Sequence, residues 1–588
     1  MVAKTPRSKD NSPPKATVGS PAFPAAESKT DADRRTDIDR AVAELKSRKR
    51  DWAQLPIQDR ITLLEAVQAS FASVAERWME ACIRAKGLGS GTFAEGEEWV
   101  IYTLGVRALG YFHSSLEAIQ KDGRPPVPGG LRTDNAGRTI ARVFPARWTD
   151  RILFRGITSD VWMQDGVTAD DVRREQAWAY HHPSDGEVAV VLGAGNLSVL
   201  PLLDTLNRLF VKLQVVVLKT NPIMDYMDPI MADALHPLIE AGFLRMVRGG
   251  AEQGQYLTHH PDVDSIQMTG SDKTFQRIMF GKDLPPDGPD SSTQATLEKP
   301  ISAELGSVTP LIVVPGPWTR SDIRHKTLQL ASWMAVNASF NCLSPRIMVQ
   351  HAEWPLRDAF MTSLEEMLAE IPTRKAYYPG AEERHARFAS SHVDVRQIGD
   401  AQADELPWTV IRGIDPESDD MAFRREVFCS VLSETALHAE STVDFIDRAV
   451  DFANQRLWGT LLISLFVHPR SLADPEIRSA VERAIADLRY GTVCINLRGE
   501  YGYYPLLSPW GGAPGSPMYD VQSGLGVINN PLMFKSSQKT VVRGPFRQWP
   551  DPFLATFDGM SAFGPALFEF EKSHALARLP KVLLRAVL

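Results

Sequence analysis

Cysteine is scarce in this chain: four in 588 residues, at Cys82, Cys342, Cys429 and Cys494, far apart and without CxxC spacing. A disulfide framework and a zinc-thiolate cluster are thereby excluded, and the pattern suits a reducing cytoplasm in which thiols stay free. Basic excess is also missing. The net charge is −8 and the basic residues do not gather into one block, which points away from nucleic acid. The N-terminus has no apolar core of the kind a secretory signal needs. No run reads as a membrane span: the longest uncharged windows, 188–203 and 328–345, are broken by Asn, Ser, Gly or Pro and read as buried core. The pairs His181–His182 and His259–His260 have no third ligand at metal spacing, so no metal and no membrane partner are expected.

What is present is ordinary globular composition, 44% hydrophobic and 23% charged, over a length that allows several domains. Residues 1–36, rich in Pro, Ser, Lys and Ala, read as a disordered tail. Apolar residues then recur at helical spacing, as in Leu63, Leu64, Val67, Phe71 and Val74, and a second helical stretch covers about 97–120. From Glu187 the texture changes. "EVAVVLGAGN", "QVVVLKTN", "FLRMVRGG" and "VDSIQMTGS" read as strands separated by helical segments. Strands alternating with helices predict a parallel sheet covered on both faces, with active groups at the carboxyl ends of the strands. "GKDLPPDGPDSSTQATLEKP" reads as a surface loop, and a second α/β pattern follows from "PLIVVPG" through "GTVCINL" to "KTVVRGPF".

The turn "GAGN" alone is weak evidence for a dinucleotide fold, because Ser198 stands where a third glycine belongs. The ordered set is far stronger: Asn196, Lys219 in "VVVLKTNP", Gly270 and Ser271 in "MTGS", Glu304 in "AELGS", Cys342 in "NASFNC", Glu426 and Phe428 in "REVFCS", and then "SPWGG". In order and spacing this series resembles the aldehyde dehydrogenase superfamily over roughly residues 40–545. The resemblance implies an α/β fold with a Rossmann-like parallel-sheet cofactor domain at 37–303 (including a helical N-terminal part and bridging strands), a catalytic α/β domain at 304–507, and a return at 508–588 to the cofactor and oligomerisation region with a C-terminal extension. It also implies NAD or NADP as cofactor, a small aldehyde as substrate, and a cytoplasmic homodimer or homotetramer.

The same resemblance implies roles. Cys342 is the nucleophile, and sulfur suits both attack on a carbonyl and a thioester; its pKa is expected to be depressed by its surroundings. Glu304 is the general base. The Asn196 amide and the Cys342 backbone N–H are the oxyanion donors, each worth about 2.7–4 kcal/mol of transition-state stabilisation. Lys219 and Glu426 hold cofactor ribose hydroxyls, Phe428 packs near the nicotinamide ribose, and Gly270 with Ser271 lies by the cofactor phosphate at a helix start. Cys82, Cys429 and Cys494 read as buried small residues.

Several positions depart from the family pattern. Ser339 and Phe340 replace Gly-Gln, Ser307 replaces a glycine, Cys429 and Ser430 replace Gly-Pro, and Trp510 replaces Phe. Pro222 stands where NAD-preferring members often carry Glu, which leaves NADP use open. Two rivals follow: an acylating enzyme that passes the thioester to coenzyme A, and a non-catalytic scaffold that keeps the fold.

Overall fold

The computed structural model describes residues 31–281, 284 and 288–588. Most of the expected tail, and residues 282, 283 and 285–287 of the expected loop, lie outside the described residues. Positions 31–36 are helical rather than part of a tail, because the helix Asp31–Ala53 begins there. Its stripe of Ile38, Ala41, Val42 and Leu45 is buried, and a helix nucleated on that stripe extends upstream at little cost.

Three further helices follow, Ile57–Ser73, Ala75–Lys86 and Phe93–Asp122. The last is closed at both ends: the Thr92 side chain accepts from the Glu95 N–H, and Gly123 turns left-handed after it. Leu64, Val67, Phe71 and Val74 are buried along the second, as their spacing requires.

Two large sheets carry most of the rest, beside a small antiparallel pair of Arg374–Lys375 with Glu405–Leu406. The first has six strands in the order Gly524–Leu525, Ile301–Glu304, Ser265–Thr269, Val188–Leu192, Val215–Lys219 and Leu244–Val247. All are parallel except Gly524–Leu525, which runs antiparallel to Ile301–Glu304. Val188–Leu192 sits between strands that come later in the chain on either side, so the direction of winding reverses there. Such a switch point opens a crevice at the carboxyl ends of the strands, where the turn holding Asn196 and the turn holding Gly270 meet.

The second sheet has eleven strands, in the order Leu131–Thr133, Thr139–Phe144, Thr158–Met163, Ser537–Arg543, Thr492–Ile495, Leu462–Phe466, Pro310–Val313, Ile347–His351, Val431–Leu437, Trp408–Ile414 and Val395–Ile398. Its central members are parallel and almost wholly buried, as a sheet covered on both faces must be.

The C-terminal segment is built into this body. The helix Met560–Ser573 lies across Phe93–Asp122 at a glycine contact: a side chain on Gly96 would meet the Met560 carbonyl oxygen at 2.1 Å, and one on Gly564 would meet the Gly96 oxygen at 2.5 Å. Arg107 ties the two helices together through a buried pair with Glu571 and a second with Asp150 at 3.3 Å. Among the described residues no helix is long and apolar enough to cross a membrane.

Candidate active site

The ends of the parallel strands supply most of the residues. Leu192 pairs with Lys219, and Thr269 pairs with Glu304, so Asn196, Lys219, Gly270 and Glu304 all leave the six-stranded sheet at one edge. Cys342 reaches that edge from the loop that precedes the strand Ile347–His351 of the second sheet. Its Sγ donates to Glu304 Oε1 at 3.0 Å.

The loop in front of Cys342 has an unusual backbone. Asn337, Ala338 and Ser339 have φ of 51°, 53° and 68°, the left-handed region that costs a side-chain-bearing residue roughly 1–2 kcal/mol each. Ser339 therefore occupies a conformation that suits glycine. Hydrogen bonds hold it there. The buried Arg346 guanidinium donates to Ser339 Oγ at 2.8 Å, Ser339 O at 2.7 Å, Asn341 O at 3.1 Å and Cys429 O at 2.6 Å. Behind the loop, Glu97 accepts from the Asn337 N–H and from Arg374. Lys86 donates to the Asn337 amide oxygen at 3.0 Å and pairs with the buried Glu98.

Asn196 joins this loop directly. Its Nδ2 donates to Phe340 O at 3.1 Å, its own carbonyl accepts from Asn337 Nδ2 at 3.2 Å, and the Tyr377 hydroxyl lies 3.0 Å from that carbonyl. An amide nitrogen carries two hydrogens, so one on Asn196 is spoken for and one remains.

Burial governs the electrostatics. It raises the Glu304 carboxyl to about 7, against hydrogen bonds from Cys342 and Trp510 that pull the other way. Burial, with Glu304 beside it, also pushes the Cys342 thiol well above its ordinary range. The expected depression of this pKa is thus reversed, because the group next to the sulfur is a carboxylate and not a cation. The other cysteines, Cys82, Cys429 and Cys494, are fully buried, while Cys342 is only partly so.

Glu426 and Phe428 come in from a neighbouring loop. The Glu426 carboxylate lies directly over Gly306, where any side chain would meet Oε2 at 1.9 Å and push the carboxylate aside. Its Oε1 is buried without a partner, and burial raises the group to about 7. Phe428 packs at 5.0 Å from Tyr378 and 6.2 Å from Phe340, so Phe340 joins an aromatic cluster rather than offering an amide.

Lys219 and the Gly270–Ser271 turn lie at the ends of different strands of the same sheet. Lys219 is buried, bonds the Thr220 carbonyl at 3.2 Å, and is lowered to about 8 by desolvation. Ser271 caps the helix Asp272–Phe280 by accepting from the Thr274 N–H at 3.2 Å. Beside Lys219 opens a groove of about 940 Å³ lined by Pro222, Asp225, Arg248, Gly249 and Gly250. Pro222 offers no carboxylate, but Asp225 does, and its Oδ1 has no partner. Among the described residues no group of His, Cys, Asp or Glu could hold a metal.

Sequence reasoning passed over Arg346, Tyr377, Glu97 and Asp204. Asp204 had a usable signal, as the lone acid in the apolar run "LPLLDTLNRLF"; it is buried and accepts from Thr269 Oγ1 at 3.0 Å and Gln267 Nε2 at 2.9 Å.

Comparison with known proteins agrees with this architecture. The model of the Aldehyde dehydrogenase family matches residues 203–382. A probable aldehyde dehydrogenase of Streptomyces coelicolor is 26% identical over 414 residues, covering 66% of this chain and 72% of that one. An aminoacetaldehyde dehydrogenase of Pseudomonas aeruginosa is 27% identical over 283 residues, 45% of this chain and 49% of the relative, so the match spans about half of that protein. Among solved structures, the NADP-dependent glyceraldehyde-3-phosphate dehydrogenase of Bacillus halodurans, complexed with NADP, aligns at a TM-score of 0.58 and 17% identity over 86% of this chain and 91% of its own. With the family's motifs in order along the chain and its fold around them, this chain is similar to the aldehyde dehydrogenases, in sequence over residues 203–382 and in fold over most of its length.

Proposed function

We propose that the chain oxidises an aldehyde to a carboxylic acid through a covalent intermediate on Cys342, using NAD or NADP. The observation that supports this most is the 3.0 Å contact between Cys342 Sγ and Glu304 Oε1. The thiol is protonated at rest and already donates to the carboxylate. Its proton needs only to cross that bond for the thiolate to attack a carbonyl carbon, which forms a thiohemiacetal. The free hydrogen of Asn196 Nδ2 and the Cys342 N–H then serve the developing oxyanion. After oxidation to the thioester, Glu304 takes a proton from water as it attacks, and the acid leaves.

The residues fit a nicotinamide dinucleotide. Ser271 at a helix start offers free N–H groups to a phosphate, Glu426 presents an unpartnered oxygen, and Lys219 lies by an open groove. The dinucleotide supplies the hydride acceptor when bound. Asp225 provides a carboxylate for a ribose hydroxyl, while Arg248 in the same groove, paired with Asp228 at 2.6 Å, provides a cation for a 2′-phosphate. The family precedent also supports a homodimer or homotetramer in the cytoplasm.

The test is mass spectrometry of the Cys342 peptide after mixing the protein, an aldehyde panel and NAD or NADP, with NAD(P)H followed optically. An acyl adduct on Cys342 that water discharges supports the reading. An adduct that only coenzyme A discharges replaces it with the acylating reaction. No adduct and no NAD(P)H across the panel leaves the scaffold.

A further inference from the structure

Among the buried carboxylates, three meet a cation: Glu98 pairs with Lys86, Glu97 with Arg374 and Glu571 with Arg107. Glu426 and Glu500 keep buried oxygens without a partner, and Asp204 and Glu304 also stand apart from any cation. The last two are 1% and 2% exposed, and neither has an ion-pair partner among the described residues.

Their placement brings them together. Thr269 and Glu304 are register partners on adjacent parallel strands, so their side chains stand on one face of the sheet. The Thr269 hydroxyl donates to Asp204 at 3.0 Å on that same face. Gln267, two residues earlier and so also on that face, donates to the other Asp204 oxygen at 2.9 Å. Both donors are neutral. The nearest cation is Arg208, which stands behind Gln267, donating to its Oε1 at 2.9 Å. Arg208 comes from a π-helical turn, Asn207–Val211, that follows the helix Leu200–Leu206 carrying Asp204; such turns recur at functional sites.

A third group faces the pair. The Tyr503 hydroxyl is buried without a hydrogen-bond partner. Its ring packs on Trp510 at 4.9 Å, and it lies in the field of Asp204, Glu304 and Cys342.

We propose that Asp204 is a proton store for Glu304: the two carboxyls, on one face of the sheet beside Thr269, hold one proton between them, on Asp204 while Glu304 is the charged base, and Asp204 gives that proton to solvent and replaces it with the one Glu304 draws from the thiol or from water. This rests on the aldehyde-oxidising reading for its use in turnover, but the shared proton does not depend on it. The balance is simple. Glu304, charged at rest while Asp204 holds the shared proton, gains a second proton from sulfur or water; Asp204 releases its own to solvent, takes the one on Glu304, and leaves Glu304 charged again when the thioester must be hydrolysed. Two unpaired carboxylates on one face of a dry site resist ionising together. Burial and the neighbouring Glu304 raise Asp204 to about 7, with Thr269, Gln267 and Arg208 opposing, which matches it to Glu304. Tyr503 and Cys342 are the remaining titratable groups that face the pair. Asp204 is a positioning residue here, since it acts through Glu304.

The test reads the protonated-carboxyl infrared band of the purified protein against pH, without aldehyde or cofactor. Asp204→Asn should remove one band and move the Glu304 midpoint down by about one pH unit. Glu304→Gln should move the Asp204 midpoint down likewise, and it reads the same coupling if Asp204→Asn fails to fold. Independent midpoints, unmoved by the partner's substitution, overturn the proposal. In turnover, Asp204→Asn should lower kcat about a hundredfold, the low end for a proton-transfer group, with KM unchanged and the acid limb of the pH profile displaced to lower pH. Unchanged kcat and an unmoved limb in a folded variant also overturn it. Coupled midpoints in a protein that oxidises no aldehyde would leave the shared proton standing and remove the dehydrogenase reading alone.

Discussion

Glu304→Gln is expected to make the protein more stable at pH 8 while abolishing turnover. Burial lifts the folded carboxyl from its ordinary 4.5 to about 7. The folded chain therefore holds this proton more tightly than the unfolded chain does, and stability falls as pH rises from about 4.5 to about 7, staying low above it. At about 1.4 kcal/mol for each tenfold in the proton equilibrium, the charged group costs the fold about 3 kcal/mol at pH 8. Glutamine keeps the shape and removes the charge. The weaker hydrogen bonds of a neutral acceptor return about 1 kcal/mol, which leaves a gain of about 2 kcal/mol. With an unfolding entropy near 1.2 kcal/mol/K for a chain of this length, the melting temperature should rise by about 2 °C at pH 8. At pH 5 the wild-type carboxyl is already protonated in the fold, and most of the difference should vanish. Calorimetric scans of both proteins at the two pH values decide the matter. A variant less stable than wild type at pH 8, or a gain of equal size at pH 5, would refute the reasoning. The active site would then not be where burial is opposed by function.

Iodoacetamide should label Cys342, which is partly exposed, and spare Cys82, Cys429 and Cys494; peptide mapping that finds Cys82 labelled at the same rate would count against the site. Arg346→Ala should cost about 3 kcal/mol and most of the activity, since it strips the cysteine loop of its buried clamp, and Arg346→Lys should not restore activity because one ammonium cannot span Ser339, Asn341 and Cys429; a fully active lysine variant refutes this. Asp225→Asn should raise NADP affinity relative to NAD about tenfold, or 1.4 kcal/mol, by removing a charge that repels a 2′-phosphate; calorimetric titration of both cofactors showing no change would place the discriminating group elsewhere.

How much of this was legible beforehand depends on the kind of residue. The parallel strands could be read because Val188–Leu192 and Val215–Lys219 are continuous apolar runs that end in turn residues, and buried parallel strands must look like that. Cys342 and Glu304, the proposed nucleophile and base, could be singled out because their motifs fall in a known order. What could not be read was contact across the chain. Nothing in "AKGLGSGTFAEGEEW" announces that Lys86, Glu97 and Glu98 will hold a loop some 240 residues away. The direction of the Cys342 shift was misread for the same reason: it depends on a carboxylate from a different strand and on burial, neither of which has a local signature. The left-handed backbone at Ser339 ran against its residue type, and only the distant Arg346 explains how it is maintained.

The glycine crossing between Phe93–Asp122 and Met560–Ser573 bears on the order in which the molecule can be completed during synthesis. Glu97, which receives the Asn337 N–H, sits one residue after Gly96, so the strut under the cysteine loop lies on the helix that Gly564 must meet. Arg107 waits 464 positions for Glu571. At elongation rates of about 5–20 residues per second, the cysteine loop is made many seconds before the helix that braces its support. During that interval Arg107 has Asp150 and the Tyr111 hydroxyl but not Glu571, the Gly96 face stands open, and Cys342 rests on an unbraced strut. A nascent chain halted short of residue 573 should therefore hold both sheets and lack a set active loop.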